Sequence, residues 1–261
     1  MQKPKKIRLD HLMVQQGLTE SRESAQRLIL AGKVLIEEKP ALKSAQLVRT
    51  DAEVRILEPL KYASRGGVKL EKALEAFQID VSGKVGLDLG ASTGGFTDCL
   101  LQHNAKHVYA VDVGYGQFSW KLRHDPRVTV MERTNARFLT PNLFPQSIDL
   151  AVIDVSFISA LKILEPLETI TDEAVVLLKP QFEAGPGDVP RGGVIQDAST
   201  HEKVLVSFFR QIQEWQVHDL IESPLRGGSG NREFFVHLKK TWKGQGWDEL
   251  RLLKRIEEII G

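Results

Sequence analysis

"KVGLDLGASTGGFTD", residues 84–98, runs from an apolar segment into a turn that holds Gly90, Gly94 and Gly95. Glycines there permit a tight turn and close backbone approach, and the helix that follows presents unpaired N–H groups at its start. The turn is not a dinucleotide fingerprint, because Ser92 stands where the second glycine of that fingerprint belongs. Further along, "HVYAVDVG", "RVTVMER", "IDLAVID" and "EAVVLLK" repeat the strand-like pattern with helical stretches between them. The alternation predicts an α/β fold: an open, mostly parallel sheet with helices on both faces, binding its ligand beyond the carboxyl ends of the strands.

Two more residues refine the ligand. Asp112 closes the second strand 22 positions after Gly90, near the spacing of about 20 at which a carboxylate grips a ribose diol. Asn135, in "ERTNAR" after the third strand, is placed to hydrogen-bond an adenine edge. Together these favour a nucleoside cofactor that needs no pyrophosphate, such as S-adenosylmethionine (SAM), over a nicotinamide. The candidate cofactor residues are Asp88, Gly90, Ser92, Thr93, Gly94, Gly95, Phe96, Asp112 and Asn135. A turn that only packs tightly and holds no ligand is the competing reading.

The rest of the composition sets limits. With 261 residues, 42% hydrophobic and 26% charged, the chain suits one medium domain plus a small appendage. No apolar run approaches the roughly 18 residues of a membrane span. The basic start "MQKPKKIRLD" leads into no signal-peptide core, so a cytoplasmic protein is expected. The single cysteine, Cys99, can form no internal disulfide and reads as a small apolar residue on a buried helix face. The seven histidines are scattered without metal-ligand spacing, and no metal is expected. Charge is uneven: residues 1–61 carry 12 Lys/Arg against 8 Asp/Glu, and the excess comes from Lys3, Lys5, Lys6 and Arg8. A basic arm of this kind hints at nucleic acid.

Residues 7–57 read as two short helices followed by short strands. Leu9, Leu12 and Met13 form an apolar helical stripe ended by Gly17; Ser21 can cap a second helix whose Ala25, Leu28 and Ile29 face inward, with Gly32 as its stop. Arg22 and Arg27 fall off the stripe and Lys33 follows the glycine, so three cations could meet a phosphate backbone, or simply form a solvated face. The order "LDHLMVQQGLTESRESAQRLILAGKVLIEEKP" looks like the S4 RNA-binding module. Where that module commonly has an Asn-Gly turn, this chain has Glu37-Glu38-Lys39-Pro40. Pro59 and Gly66-Gly67 then mark a linker, after which Leu70, Ala73, Leu74 and Phe77 keep helical spacing with Lys69 beside the stripe.

Asp154 ends the strand "IDLAVID", Lys179 ends "EAVVLLK", and Glu233 lies in "LRGGSGNREFFVHLKK" beside a glycine-rich turn. With Lys69 they read Lys, Asp, Lys, Glu in chain order. Singly, each could be a surface charge. The order resembles the FtsJ-type RNA 2′-O-methyltransferases, whose active site is a Lys-Asp-Lys-Glu tetrad. Closer still is the TlyA family of rRNA 2′-O-methyltransferases, also known as haemolysins, through "SRGGVKLEKAL", "DLGASTGGFTD", "DVSFIS", "KPQFEAG" and "GNREFF".

The resemblance implies a Rossmann-like class I SAM-dependent methyltransferase domain behind a small α+β S4-like domain. Residues 1–60 would be the S4-like part, 61–83 a linker and helix, and 84–261 the catalytic part. Catalysis would fall to Lys69, Asp154, Lys179 and Glu233, and RNA contact to Arg22, Arg27, Lys33 and Arg65. The substrate would be structured rRNA or a ribosomal subunit, methylated on a cytidine ribose; no protein partner is implied. Lys179 would be the base, Lys69 a neighbouring cation that disfavours a second charge and positions the substrate, Asp154 the holder of the resulting ammonium and Glu233 an orienting partner. A non-catalytic, SAM-responsive assembly factor is the alternative. Membrane lysis, suggested by the haemolysin name, lacks a spanning segment or strong cationic amphipathic helix.

Overall fold

The apolar runs on either side of the glycine turn pair in one sheet, in the computed structural model of the chain. The structure describes residues 6–30, 32–57, 61–185, 187–240 and 246–261. It divides into two units, Met1–Leu60 and Lys61–Gly261.

In the first unit, β1 (Lys6–Arg8) leads into α1 (Leu9–Gln15), then α2 (Arg22–Leu30), β2 (Val34–Ile36), β3 (Lys39–Pro40), β4 (Leu47–Arg49) and β5 (Val54–Ile56). The stripe residues Leu9, Leu12 and Met13 are buried with Ala25, Ile29, Val34 and Val54 in a single core. Ser21 caps α2, its hydroxyl accepting from the Ser24 N–H at 3.2 Å. Strand β1, which sequence periodicity does not reveal in three residues, pairs with β4, while β3, β2 and β5 form a second antiparallel sheet. Glu37 and Glu38 make the turn between β2 and β3 with φ of 47° and 64°. That is the left-handed pair a tight hairpin demands and that Asn-Gly usually supplies.

The second unit begins with α3 (Arg65–Ala76). It continues through β6 (Val85–Leu89), α4 (Gly95–Gln102), β7 (His107–Val111), α5 (Trp120–Arg123), β8 (Val128–Met131), β9 (Leu150–Ile153), α6 (Leu161–Leu167), β10 (Glu173–Leu178), α7 (Pro180–Glu183), α8 (Ala198–Gln211), β11 (Gln216–Glu222), β12 (Phe234–Lys239) and α9 (Glu249–Ile260). Seven strands line up as β11-β12-β10-β9-β6-β7-β8. β12 runs antiparallel to both its neighbours, and the pairs among β10, β9, β6, β7 and β8 are parallel.

Alternation along each strand sends side chains to two cores. Leu87, Leu89, Ala151 and Ile153 join Leu164, Leu167, Leu205 and Phe208 on one face. Leu150, Val152, Val175 and Phe235 join Leu70, Leu74, Phe96 and Leu100 on the other. Residues 61–83, expected to join the two parts, pack into this second unit, since Tyr62, Leu70, Ala73, Leu74, Phe77 and Val81 all lie in the core beneath α3 and α4. Among the described residues no helix is long and apolar enough to cross a membrane.

Sheet order decides where chemistry can gather. From β6 the chain steps to β7 on one side, and β9 later pairs on the other, so the loop after β6 lies at the point where strand order reverses. Gly90, Asp112, Asp154 and Lys179 each follow the end of one of the adjacent strands β6, β7, β9 and β10. The antiparallel register of β12 on β10 pairs Leu178 with Phe234, which brings Glu233, next before Phe234, to the same edge as Lys179.

Candidate active site

Gly90 explains how closely that edge is packed. Its φ is +84°, and a Cβ placed on it would lie 2.5 Å from the Asp154 carbonyl oxygen, so only glycine lets the β6 and β9 exits approach. Its N–H donates to the Val111 carbonyl at 2.9 Å, which ties the turn to β7 as well. On the other side, a Cβ at Gly95 would sit 2.1 Å from the Ser64 Oγ. Ser64 caps α3, accepting from the Gly66 N–H. The start of α3 therefore rests against the start of α4, and Lys69 is carried over the glycine turn.

The four tetrad residues meet as two ion pairs. Lys69 Nζ donates to Glu233 Oε2 at 2.6 Å, with side chains only 12% and 4% exposed. Lys179 Nζ lies 2.7 Å from Asp154 Oδ1 and its side chain is 11% exposed. The approach to that oxygen is off the hydrogen-bonding direction; the hydrogen bond of the ammonium goes to Ser156 Oγ at 2.9 Å. Neither amine stands on a solvated face. Each has its own acid, so the charge of Lys69 is offset locally by Glu233.

Two cavities adjoin these pairs. One of about 240 Å³ is lined by Arg65, Lys69, Asp88, Gly90, Phe96 and Asp154 among others. The other, of about 460 Å³, is lined by Gly90, Asp112, Asn135, Asp154 and Phe157 among others. Gly90, Ser92 and Asp154 line both. A larger cavity of about 670 Å³ beside α8, β11 and residues 246–253 holds none of the site residues.

Asp88 has the most telling environment. It points from β6 to the α4 face, fully buried, where Oδ2 accepts from the Thr97 N–H at 2.9 Å and the Thr97 hydroxyl at 2.6 Å. Among the described residues its Oδ1 has no partner. Burial pushes the carboxyl up to about 7, with Thr97 pulling the other way and the Asp154 and Asp112 charges adding to the rise. A buried acceptor without a donor, on a residue lining a cavity, is what a cationic ligand group would satisfy.

Asp112 is already engaged, Oδ2 by the Ser92 N–H at 2.7 Å and Oδ1 by the Gly114 N–H at 2.6 Å; each oxygen retains a second lone pair. Asn135 accepts from the Arg137 N–H at 3.0 Å and keeps its amide N–H groups. Ser92 is exposed with φ of 48°, Thr93 is exposed and accepts from the Ser119 N–H, and Gly94, φ +93°, caps α4. Phe96 is buried against Phe235. Ser64, Thr97 and Ser156 are site residues that the sequence does not single out individually, although each lies in one of the quoted motifs, Ser156 two residues after Asp154.

In the first unit, Arg22 is not independent. It lies 3.5 Å from the buried Asp10 Oδ2, which Arg8 also grips at 2.7 Å and Gln26 at 2.8 Å. Those partners, Arg8 foremost, hold the Asp10 carboxyl well below the usual carboxylate range. Arg27 is exposed on α2 and Lys33 half-buried just before β2.

Comparison with known proteins agrees with this architecture. Residues 62–240 match the FtsJ-like methyltransferase family and residues 7–54 match the S4 domain. The 16S/23S rRNA (cytidine-2′-O)-methyltransferase TlyA of Mycobacterium tuberculosis is 46% identical over 242 residues, covering 90% of each chain. The chain belongs to the TlyA branch of the FtsJ-like methyltransferases. Hemolysin A of Brachyspira hyodysenteriae is 42% identical over 88% of this chain and 99% of its own. A solved structure from Streptococcus thermophilus, carrying a hemolysin name, superposes with a TM-score of 0.73 at 42% identity, covering 98% of this chain and 95% of the other. The FtsJ-like match takes in both ion pairs and the glycine turn, and the S4 match takes in Asp10, Arg22, Arg27 and Lys33.

Proposed function

We propose that the protein methylates the 2′-hydroxyl of a cytidine ribose in structured rRNA, using SAM, with the first unit holding RNA and the second performing transfer. The observation that carries this reading is the pairing of Lys69 with Glu233 and of Lys179 with Asp154 around the Gly90 turn. The rRNA substrate follows the TlyA relative and the S4 match.

The residues fit SAM. Asp88 offers an unpaired buried oxygen to an ammonium, Asp112 offers lone pairs to a ribose diol, and the amide of Asn135 reaches the cavity that Asp112 lines. When bound, SAM supplies an electrophilic methyl on a sulfonium.

The protein must then align the 2′-oxygen and remove its proton. Lys179, in its neutral form, accepts that proton; Asp154 and Ser156 aim the amine beforehand and hold the ammonium afterwards. Lys69, held by Glu233, positions the sugar. Because Glu233 neutralises Lys69 locally, alignment outweighs charge repulsion as the main contribution. Alignment is worth about 7–11 kcal/mol in favourable cases, against roughly 10²- to 10⁴-fold, or about 3–5 kcal/mol, from a general base. Arg65, exposed beside the smaller cavity, and Arg22, Arg27 and Lys33 on the first unit supply phosphate contacts.

The test incubates ribosomal subunits that lack the modification with labelled SAM. Alkali-resistant labelled dinucleotides are the expected product, and their absence with folded protein overturns the reading. In Lys179→Ala, transfer is expected to collapse while SAM binding survives; an unchanged phenotype would instead favour a SAM-responsive assembly factor.

A further inference from the structure

The strand exits that carry Asp154 and Lys179 are tied together by more than that ion pair. Glu183, at the end of α7, reaches from the β10 exit back to the β9 exit. Its Oε2 accepts from the Ser159 hydroxyl at 2.6 Å and its Oε1 from the Ala160 N–H at 2.7 Å. Between the two ties, the Phe157 and Phe182 rings lie 5.1 Å apart, and Lys179 donates to Ser156.

In the intervening segment, residues 154–160, Val155 and Ile158 pack against the core and Ala160 is buried in it, while Ser156 and Phe157 stand open. Its start is fixed by the Asp154 N–H donating to the Leu89 carbonyl at 2.9 Å. In its middle, Phe157 is 91% exposed and adopts the left-handed φ of 65° that a bulky residue occupies only when its flanks force it. Burial raises the Glu183 carboxyl from its ordinary value, against the pull of its two donors. Among the described residues no Lys, Arg or His lies within ion-pair distance of it. A half-buried acid without a cation carries a desolvation cost, and both of its oxygens are committed to the opposite loop.

We propose that Glu183 is a positioning residue for methyl transfer: by clamping Ser159 and Ala160 to the chain just beyond Lys179, it holds Asp154 and Ser156 in register with the Lys179 amine. This rests on the reading of Lys179 as the proton acceptor. Removing the clamp lets the 154–160 segment drift from Lys179 without disturbing Asp88 or Asp112.

The experiment measures single-turnover methyl transfer to ribosomal subunits at saturating SAM, together with SAM affinity, for Glu183→Ala and Glu183→Gln, each alone and combined with Lys179→Ala. Glu183→Ala is expected to slow transfer by about 10- to 100-fold, the scale of a displacement of about 1 Å, with SAM affinity unchanged within about twofold. Glu183→Gln, which retains an oxygen for the Ala160 N–H, should recover most of the rate. In the Lys179→Ala background, Glu183→Ala should cost less than about twofold more, since residues acting as a unit are non-additive.

Equal losses in both backgrounds, a loss that follows SAM affinity, or a wild-type rate in Glu183→Ala would each overturn the proposal. Lys179→Ala alone reports separately on the acceptor reading: a wild-type rate there removes that reading and this one with it. Should Glu183→Ala not fold, Ser159→Ala removes one donor, leaves the carboxylate in place, and carries the same comparison.

Discussion

The wild-type protein is expected to bind SAM with a pH dependence that replacing Asp88 with Asn abolishes. Asp88 is fully buried with Oδ1 unpaired, and its carboxyl is pushed up to about 7. If the ligand's ammonium requires the carboxylate, apparent affinity follows the ionised fraction. That fraction rises from about one in eleven at pH 6 to about ten in eleven at pH 8, so affinity gains about tenfold, or about 1.4 kcal/mol.

Isothermal titration between pH 6 and pH 8 gives the wild-type to Asp88→Asn ratio, which cancels titration of the ligand's own amine. 5′-Methylthioadenosine, which has no amino-acid end, should show a flat ratio. The same residue sets a stability trend without ligand. Its folded-state value lies above the ordinary carboxylate value of 3.8, so the native protein binds more protons than the unfolded chain between about pH 4 and 7. Stability therefore falls across that window as pH rises, and Asp88→Asn removes the slope. A SAM ratio that stays flat from pH 6 to 8, or an equal slope for 5′-methylthioadenosine, would refute the assignment of Asp88 to the ammonium.

Other substitutions test the packing around the site. Gly90→Ala should destabilise by about 1–2 kcal/mol for the left-handed backbone and about 1–3 kcal/mol for overpacking against the Asp154 carbonyl, read by thermal unfolding, with a matching loss of SAM binding. Lys69→Ala leaves Glu233 buried and unpaired and should cost about 3–5 kcal/mol; adding Glu233→Gln should return part of that loss in denaturant titration, and a further additive loss would argue against the pair. Glu38→Gly relieves a residue at φ of 64° while removing only an exposed ion pair to Arg55. It should stabilise the first unit by about 1 kcal/mol, seen as slower hydrogen exchange at Val34–Ile36.

Much of the architecture was legible along the chain. Runs of apolar residues at short and helical periods marked β6 to β10 and α1 to α3, because those periods are properties of neighbouring residues. The three glycines marked the turn for the same local reason, and Ser21 marked a helix start by its side-chain chemistry. Short β1 and the polar-interrupted β11 escaped notice, since three residues carry no period and His218-Asp219 breaks the apolar pattern. Residues 61–83 resembled a connection because Pro59 and the glycine pair are turn formers; burial of Tyr62 and Leu70 against α4 depends on contacts that no local pattern records.

The sequence by itself determined that two lysines and two acids of the right types stand at strand ends or beside a helical stripe. The tertiary structure alone decided who pairs with whom: Lys69 with Glu233 across 164 positions, Lys179 with Asp154 across adjacent strand ends, and the still exposed Arg22 with the buried Asp10. It also decided that Glu233 stands level with Lys179, through the register of an antiparallel strand formed more than fifty residues later. Side-chain type is a local property of the chain, whereas partnership and desolvation arise only when sheet order and register bring distant residues to one edge.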